Sequence, residues 1–560
     1  MSASYTASEE RTRSTGGEPA RRLRLGEGLR LLAALAAVAA LAPAPAWAQG
    51  EAEPAPAAAE TPAAEGGAEA GAEGDAGAAP TPEEAAAAAA ATTAAITKES
   101  LTPEQRTLRA NAFLEQALAA ASTADWRTAA RYAHEAWGMY PASEEKREAA
   151  ELALADALVE LGFEQAAAAH YFNVVQRRNM LQLLPRALAG VERLARRGLV
   201  LEEDLLRGVL AETELANLPP DLSDFLHYQR GIANLRLGNQ RWTDYEFGRI
   251  RANGVYAQRA RLTQAVAHVR DNEPAEALRM VEEMLLTDLD PDVRQEALLI
   301  QARLLFEAGR MEEAIAAFRE VDQTRNVPAG EVLLERAWSH YRQDKLHDAM
   351  GLLYALGAPA HVDLFLPEAY VLRGLIYQRF CHFRAARRAA KEFRARYGEA
   401  IEEVEAGTSP FEIPMVAHAT SILPHVAAVL RISDGAREEQ ERLDDQGGWI
   451  DEGGLRRHLD QLYEQVGARL EWIRARTVSA GANVIAERLL TAREQANLLE
   501  YEVGVSIHRR VNDAEGKVYR RPEAQVVPRT GDRTFYKFNG EYWSDELGDM
   551  RFLIENRCVE

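Results

Sequence analysis

Apolar residues recur at helical spacing through most of the chain, in segments short enough to be single helices of a packed pair. The stretch from Ala302 to Phe318 shows the pattern. A first helix ends in alternating small and large apolar residues, Gly309 turns the chain, and a second helix places Ala314 and Phe318 on one face. The small residues allow close approach of the two helices, and the large ones fill the seam between them. This pattern predicts an antiparallel helix pair.

The same register returns along the chain at intervals of 34 to 38 residues, with one longer gap that leaves room for a degenerate unit. The small residue of the second helix falls at Ala129, Ala167, Thr243, Ala277, Ala314, Ala349 and Ala386. This pattern resembles the tetratricopeptide repeat (TPR). The resemblance implies an all-α, TPR-like solenoid of about eight helix pairs over residues 96–400. An unrelated helical bundle is the alternative.

In TPR proteins, stacked pairs form a superhelix whose first helices line a concave groove. The resemblance places on this groove the protein-binding candidates Arg303, Phe306, Trp338, Tyr341, Arg342, Gln378 and Arg379. Aromatic and arginine side chains are enriched at interface hot spots, and arginine can bind a partner's carboxylates with two hydrogen bonds. Packing between repeats is the alternative for Phe306 and Trp338, because exposed and core aromatic residues look alike in a sequence.

The repeat pattern ends after Tyr397. Prolines, followed by a charged stretch broken by glycines, predict an irregular connecting region over residues 401–454. From 455 to 508 apolar residues again recur at helical spacing, which predicts one or two long amphipathic helices interrupted near Ala480 and Gly481. We expect this part of the chain to pack back onto the repeat array.

Residues 509–560 form a tail with a high density of aromatic side chains. Asn539 and Gly540 are a strong turn signal between two aromatic segments, so a β-hairpin is one alternative for this tail. Tyr542 and Trp543 join the protein-binding candidates. A role limited to covering the last helix is the alternative for these aromatic residues.

The end of the tail, including Gly540–Trp543, Asp545–Gly548 and Cys558, resembles that of secreted TPR proteins of myxobacteria and their relatives. Some of those proteins belong to the envelope machinery of gliding motility. The resemblance implies an ordered cap or docking element. We expect Cys381 to be buried in a repeat. A disulfide between Cys381 and Cys558 is allowed in an oxidising compartment and requires the tail to fold back onto the last repeat.

The N-terminal residues 1–48 have the three parts of a secretory signal peptide. Four arginines between Arg21 and Arg30 precede an apolar run from Leu31 to Leu41, and small residues follow up to a cleavage site between Ala48 and Gln49. The run is too short to span a membrane, which takes about 20 residues. Residues 49–95 are rich in Ala, Glu, Gly and Pro and predict a disordered acidic linker. We therefore expect an exported, periplasmic protein with no membrane insertion after cleavage.

Composition and motifs narrow the chemistry. The chain has 65 Lys and Arg against 86 Asp and Glu, a net charge of −21 that excludes general attraction to nucleic acid. Its two cysteines exclude a Cys-rich zinc module. No phosphate-binding loop, nucleophile elbow or His-Glu-x-x-His pair occurs, and His340 is expected to be a satisfied structural histidine. We expect no cofactor, no metal and no catalytic residue.

These observations favour a non-catalytic periplasmic TPR scaffold that binds other envelope proteins, with gliding-motility machinery as the specific version. Two alternatives stay open. One is an enzyme of the envelope, acting on peptidoglycan, or its targeting subunit. The other is a purely structural spacer.

Overall fold

The structure, a computed structural model, describes residues 101–142, 144–177, 181–209, 218–321, 329–513, 540–542 and 547–558. These residues form nineteen α-helices and no β-strand, so the fold class is all-α as predicted. The signal peptide and linker predicted for residues 1–95 lie outside the described residues. So do Trp543 and most of the segment for which a β-hairpin was an alternative.

Sixteen of the nineteen described helices follow one another as eight consecutive pairs, and in seven of these pairs the two members pack against each other. The third pair is the exception, because its second helix packs on the helices of the neighbouring pairs. The pairs are α1 (Pro103–Ser122) with α2 (Trp126–Met139), α3 (Lys146–Glu160) with α4 (Glu164–Arg177), α5 (Leu184–Arg196) with α6 (Glu202–Val209), α7 (Pro220–Arg236) with α8 (Gln240–Gly248), α9 (Val255–Arg270) with α10 (Pro274–Leu285), α11 (Pro291–Glu307) with α12 (Met311–Glu320), α13 (Ala329–Arg342) with α14 (Leu346–Ala355), and α15 (Pro367–Arg379) with α16 (Phe383–Glu405).

Every pair turns at one residue of positive φ, at intervals of 34 to 40 residues. These residues are Ala124, Gly162, Gly198, Gly238, Asn272, Gly309, Asp344 and Cys381. A left-handed residue at the end of a helix lets its last carbonyls be capped while the chain reverses. The regular recurrence of this turn shows a TPR-like α-solenoid of eight helix pairs. The degenerate unit is α5 with α6.

The region 401–454 is not irregular as predicted. The last helix of the array continues to Glu405, and two further helices follow, α17 (Pro414–Ser421) and α18 (Pro424–Glu441). Proline is favourable at the first position of a helix, where its missing N–H has no partner to lose. Pro414 and Pro424 therefore begin these helices instead of breaking them.

One continuous helix of 59 residues, α19 (Leu455–Asp513), replaces the interrupted helices that the sequence predicted. Gly481 lies buried within it, where an added Cβ would come within 3.0 Å of Thr420 and Val426. The glycine thus permits close approach of α17 and α18. At 1.5 Å per residue the helix is about 88 Å long.

The two ends of α19 belong to two different cores. Leu455, Leu459 and Tyr463 are buried with residues of the first pairs, whereas residues from Ala482 to Val503 are buried with α13 to α16. The prediction that this part packs back onto the array is confirmed. The helix connects the beginning of the solenoid to its end.

Candidate protein-binding site

The predicted groove residues lie on α11, α13 and α15, the first helices of the last three pairs. Arg303 on α11 donates from Nε and from one terminal nitrogen to the two carboxylate oxygens of Glu335 on α13, at 2.9 and 2.8 Å. The sequence analysis predicted this geometry, with two hydrogen bonds, between a groove arginine and a partner's carboxylate. Within this structure, Arg303 uses it to join neighbouring pairs.

Two aromatic candidates also pack between pairs. Phe306 is buried, and the guanidinium of Arg342 lies 4.7 Å from its ring centroid, within the range of a cation–π contact. Trp338 is buried with its ring edge-on to Tyr341, at a centroid distance of 5.7 Å. Phe306 and Trp338 therefore pack in the core, as the alternative to a binding role predicted.

The remaining candidates reach the surface together, and we name them the accessible patch: Tyr341, Arg342, Gln378 and Arg379. Arg379 donates to Asp344 at 2.6 Å, and both side chains are mostly exposed. Burial raises the pKa of Tyr341, on which the charges of Arg379 and of Glu502 of α19 also act. The accessible patch thus borders the long helix.

Alongside the patch, α19 occupies the face of the last two first helices. Arg488 donates from Nε and a terminal nitrogen to Glu368 on α15, at 2.6 and 3.1 Å, and lies 3.8 Å from Glu331 on α13. Leu499 of α19 fills the space that a side chain at Gly374 of α15 would occupy. Part of the face expected to bind a partner is therefore covered by the chain itself.

Sequence reasoning missed Arg488, Glu331 and Glu368. A single arginine inside a run of apolar helical positions was the available signal, because a charged residue in a buried stripe needs an opposite charge nearby. The identity of its partners, more than a hundred positions away, has no trace in the local pattern.

The end of the chain, residues 547–558, crosses the last two pairs, and we name it the C-terminal strap. The backbone N–H of Phe552 donates to the carbonyl of His347 at 3.0 Å, and that of Arg557 donates to the carbonyl of Phe380 at 3.1 Å. The ring of Phe552 stacks on Tyr354 with centroids 4.1 Å apart. The strap is an ordered element fixed by both backbone and side chains.

A disulfide between Cys381 and Cys558, with Cα atoms 5.1 Å apart, ends the strap. The tail does fold back onto the last pair, as the pairing requires. Cys381 is not buried in a repeat as expected. It is half-buried in the turn between α15 and α16, where it has a φ of 58°.

Two glycines of α14 and the turn after it make room for the tail. A Cβ on Gly351 would overlap the carbonyl of Met550 in the strap. A Cβ on Gly357 would lie 2.7 Å from the hydroxyl of Tyr542. Tyr542 is half-buried here, and burial raises its pKa. The candidate Tyr542 thus contacts the array, whereas Trp543 lies outside the described residues.

At the opposite end of α19, three histidines from different helices meet Trp137. The Nε2 atoms of His458 on α19 and His170 on α4 are 3.2 Å apart, and the ring of His134 on α2 lies 5.0 Å from that of His458. His170 Nδ1 is 3.1 Å from a carboxylate oxygen of the buried Glu151. Burial, together with the neighbouring histidines, lowers the pKa of His458 to about 3.

A buried carboxyl group reinforces this end. Both oxygens of Glu439 on α18 accept the backbone N–H of Gln165, at 3.0 and 2.9 Å, in the first turn of α4. Tyr463 of α19 donates its hydroxyl to the same carboxyl at 2.8 Å. Burial raises the pKa of Glu439 to about 7. One side chain thereby caps α4 and holds α19 in place.

Within the described part of the chain, no group of three or more His, Cys, Asp or Glu side chains has the arrangement needed to hold a metal ion. No single described helix has the length and apolar character to cross a membrane, although α17 and α18, bent by 88°, satisfy both criteria as a pair.

The chain matches no known family description and no curated protein. Among solved structures it is similar to a chain in the crystal structure of the APC/C hetero-tetramer Cut9–Hcn1, with 13% sequence identity and a TM-score of 0.21. The match covers 75% of this chain and 94% of that one. The helix pairs themselves, and not this distant likeness, define the fold of the protein as a TPR-like solenoid.

Proposed function

We propose that the protein is an exported, non-catalytic scaffold that binds other proteins of a bacterial cell envelope. The observation that carries this proposal is the array of eight helix pairs, closed by α19 and the C-terminal strap, that leaves the accessible patch open beside them. Solenoids of this kind present extended surfaces to protein partners. The accessible patch offers such a surface for recognition.

Export is supported from two directions. The N-terminal sequence has the parts of a signal peptide up to Ala48 and Gln49. The disulfide between Cys381 and Cys558 belongs in an oxidising compartment, because cytosolic thiols are kept reduced. The periplasm satisfies both conditions.

Binding at the accessible patch would use Arg342 and Arg379. Their guanidinium groups are exposed, and Arg379 already holds an exposed carboxylate, that of Asp344. A partner's acidic side chain can replace such a surface pair at little cost, because exposed ion pairs contribute little stability. The likeness of the tail to secreted TPR proteins of myxobacteria supports gliding-motility machinery as the complex in which the scaffold acts.

In-cell crosslinking tests this proposal. A photo-crosslinking amino acid at Gln378, which lies in the accessible patch and leaves both arginines in place, is compared with one at Arg186, which is 60% exposed on α5. We expect position 378 to yield adducts with one or a few envelope proteins and position 186 to yield none of them. Mass spectrometry of the adducts then shows whether motility proteins are among the partners.

Two results would contradict the proposal. Equal adducts at both positions would show that the patch is not selective, and adducts made only of glycan would favour a cell-wall function. Fractionation of the same cells tests export, since the mature protein should appear in the periplasm with both cysteines protected from alkylation.

A further inference from the structure

A cleft of about 460 Å³ lies beside the C-terminal strap. Its walls come from α12, the end of α13, the start of α14 and the strap itself. The charged and polar residues that line it are Glu312, Arg319, His340, Lys345, Asp348 and Arg551. No predicted site residue is among them.

The cleft is basic although the chain carries a net charge of −21. Arg319, Lys345 and Arg551 line it, and each is at least 42% exposed. The two acids of the lining are engaged, Glu312 by Lys345 at 3.2 Å and Asp348 by Arg551 at 3.6 Å. These distances leave donors of the three cations free for a further anion, since a guanidinium has five N–H groups.

His340 lies in the wall of the cleft and is a neutral, buried ring. Its side chain is 5% exposed and lines the cleft, and its Nδ1 has no hydrogen-bond partner among the described residues. Burial lowers the pKa of His340 to about 4, so the ring is neutral at pH 7 and can donate from one nitrogen. Buried polar atoms in proteins nearly always have a partner. His340 is therefore a buried structural histidine as expected, but its Nδ1 is not satisfied by the described residues.

Arg336, which shares Asp549 with Arg319 of the cleft, also has a polar atom without a hydrogen-bond partner in the described part of the chain. It is buried, and its Nε has no hydrogen-bond partner among the described residues. One terminal nitrogen of Arg336 and one of Arg319 each lie 3.3 Å from the same carboxylate oxygen of Asp549, which is 80% exposed in the strap. A buried cation with a single long contact is costly, and an additional anion would stabilise it.

Asp549 indicates the chemistry of that anion. Its carboxylate is bound by Arg319, which lines the cleft, and by Arg336 of the neighbouring helix, the arrangement that an incoming acidic side chain would also meet. A volume of about 460 Å³ is too large for one carboxylate and sufficient for a short segment that carries several. We propose that the cleft beside the strap binds the carboxylates of an acidic peptide segment of a partner protein. This inference goes beyond the proposed function, because none of the residues that line the cleft belongs to the accessible patch.

Fluorescence anisotropy of the full mature chain with a labelled peptide of six alternating Asp and Glu residues tests the proposal. The peptide of alternating Asn and Gln is the uncharged control. We expect the acidic peptide alone to bind, and Arg319→Gln to weaken its binding by about ten-fold or more, since hydrogen bonds to charged groups are strong. Arg294→Gln is the control. Arg294 is a similarly exposed arginine on α11 that lies near Glu320, the neighbour of Arg319 on α12, and its removal should leave binding unchanged.

Asp549→Asn provides a readout that a merely structural role would not give. It removes the internal carboxylate from Arg319 and Arg336, and we expect the acidic peptide to bind about three-fold tighter or more because a competing anion is lost. Circular dichroism verifies that each variant is folded.

Three outcomes would overturn the proposal. They are equal binding of the acidic and amide peptides, unchanged binding to the Arg319→Gln variant, and binding of free succinate as tight as that of the acidic peptide. The last would identify a small-molecule site. Failure of this test leaves the crosslinking test unaffected, because that test is read at a residue that does not line the cleft.

Discussion

The two ends of α19 are held to the solenoid by different kinds of interaction. At its start, Tyr463 and His458 pack among rings and bind buried polar groups of the first pairs. At its end, Arg488 pairs with the buried carboxylate of Glu368, and a strap closed by a disulfide lies across the same helix pairs. The first attachment depends on titratable groups, whereas the second depends on fixed charges and a covalent bond. Acid should therefore loosen one end and a reductant the other.

The largest expected effect is at Arg488. Arg488→Met leaves the buried carboxylate of Glu368 without its cation and removes the cation near the partly exposed Glu331, and we expect a loss of about 3–5 kcal/mol in the free energy of unfolding. Arg394→Met is the matched control, because Arg394 also joins the array to α19, through Glu500, but on the surface. It should cost less than about 1 kcal/mol. Urea unfolding followed by circular dichroism compares the two, and equal losses would contradict the distinction.

Removal of the disulfide should have the next largest effect. We expect Cys558→Ser to lower the free energy of unfolding by about 2–4 kcal/mol and to speed hydrogen exchange in the strap and α14. Exchange in α2 and α4, at the other end of α19, should stay unchanged. Reduction of the native protein should reproduce the effect, and reductant should add nothing to the variant. Faster exchange at both ends would show that the attachments are not independent.

Gly351→Ala tests the strap without touching the disulfide. The new methyl group would overlap the carbonyl of Met550, so we expect a loss of about 1–3 kcal/mol, measured as a lower melting temperature. Gly398→Ala in α16 is the control, because no described atom lies within 4 Å of the added Cβ. There alanine should raise the melting temperature, since it favours helix over glycine by up to about 1 kcal/mol. A harmless Gly351→Ala would mean that the strap does not lie against α14.

The smallest expected effect concerns pH at the start of α19. His458 has a pKa of about 3 in the fold against 6.5 when exposed, so the unfolded chain binds its proton first. Stability contributed by the neutral ring should therefore fall as the pH drops from 6.5 towards 3. Glu439, with its pKa raised to about 7, acts in the opposite sense, because its contribution is lost as the pH rises from 4.5 through 7.

A variant separates these two contributions. His458→Phe keeps a ring beside Trp137 and should flatten the loss of stability between pH 6.5 and pH 4, whereas His508→Phe on the exposed side of the same helix should not. Thermal unfolding across this pH range measures the difference. An unchanged pH profile in the His458→Phe variant would exclude the histidine as the acid-sensitive group.

The sequence was sufficient for the repeats because their signal is local. Small residues such as Ala314 and Ala349 recur where helices touch, and that spacing predicted eight pairs. Only half of the eight turns contain glycine. Ala124, Asn272 and Asp344 take the same left-handed conformation without it, so their turns could not be found from glycine alone.

The site was harder to predict because its contacts join distant positions. The sequence identified Trp338 as a candidate, but its burial depends on neighbouring pairs. His170 and His458 are 288 positions apart, and no local pattern predicts that they meet. The continuity of α19 was missed because Gly481 has the same appearance in a sequence whether it breaks a helix or admits a neighbouring one.

The length of α19 has a mechanical consequence. In an open solenoid each repeat contacts only its neighbours, so the array can extend by small changes at every interface between repeats. In this protein a rigid rod of 59 residues is fastened near both ends of the coil. Tension applied to the solenoid would be carried by the rod, so the protein should transmit force stiffly and yield abruptly when one fastening fails. Its reach is thereby set by the length of a single helix.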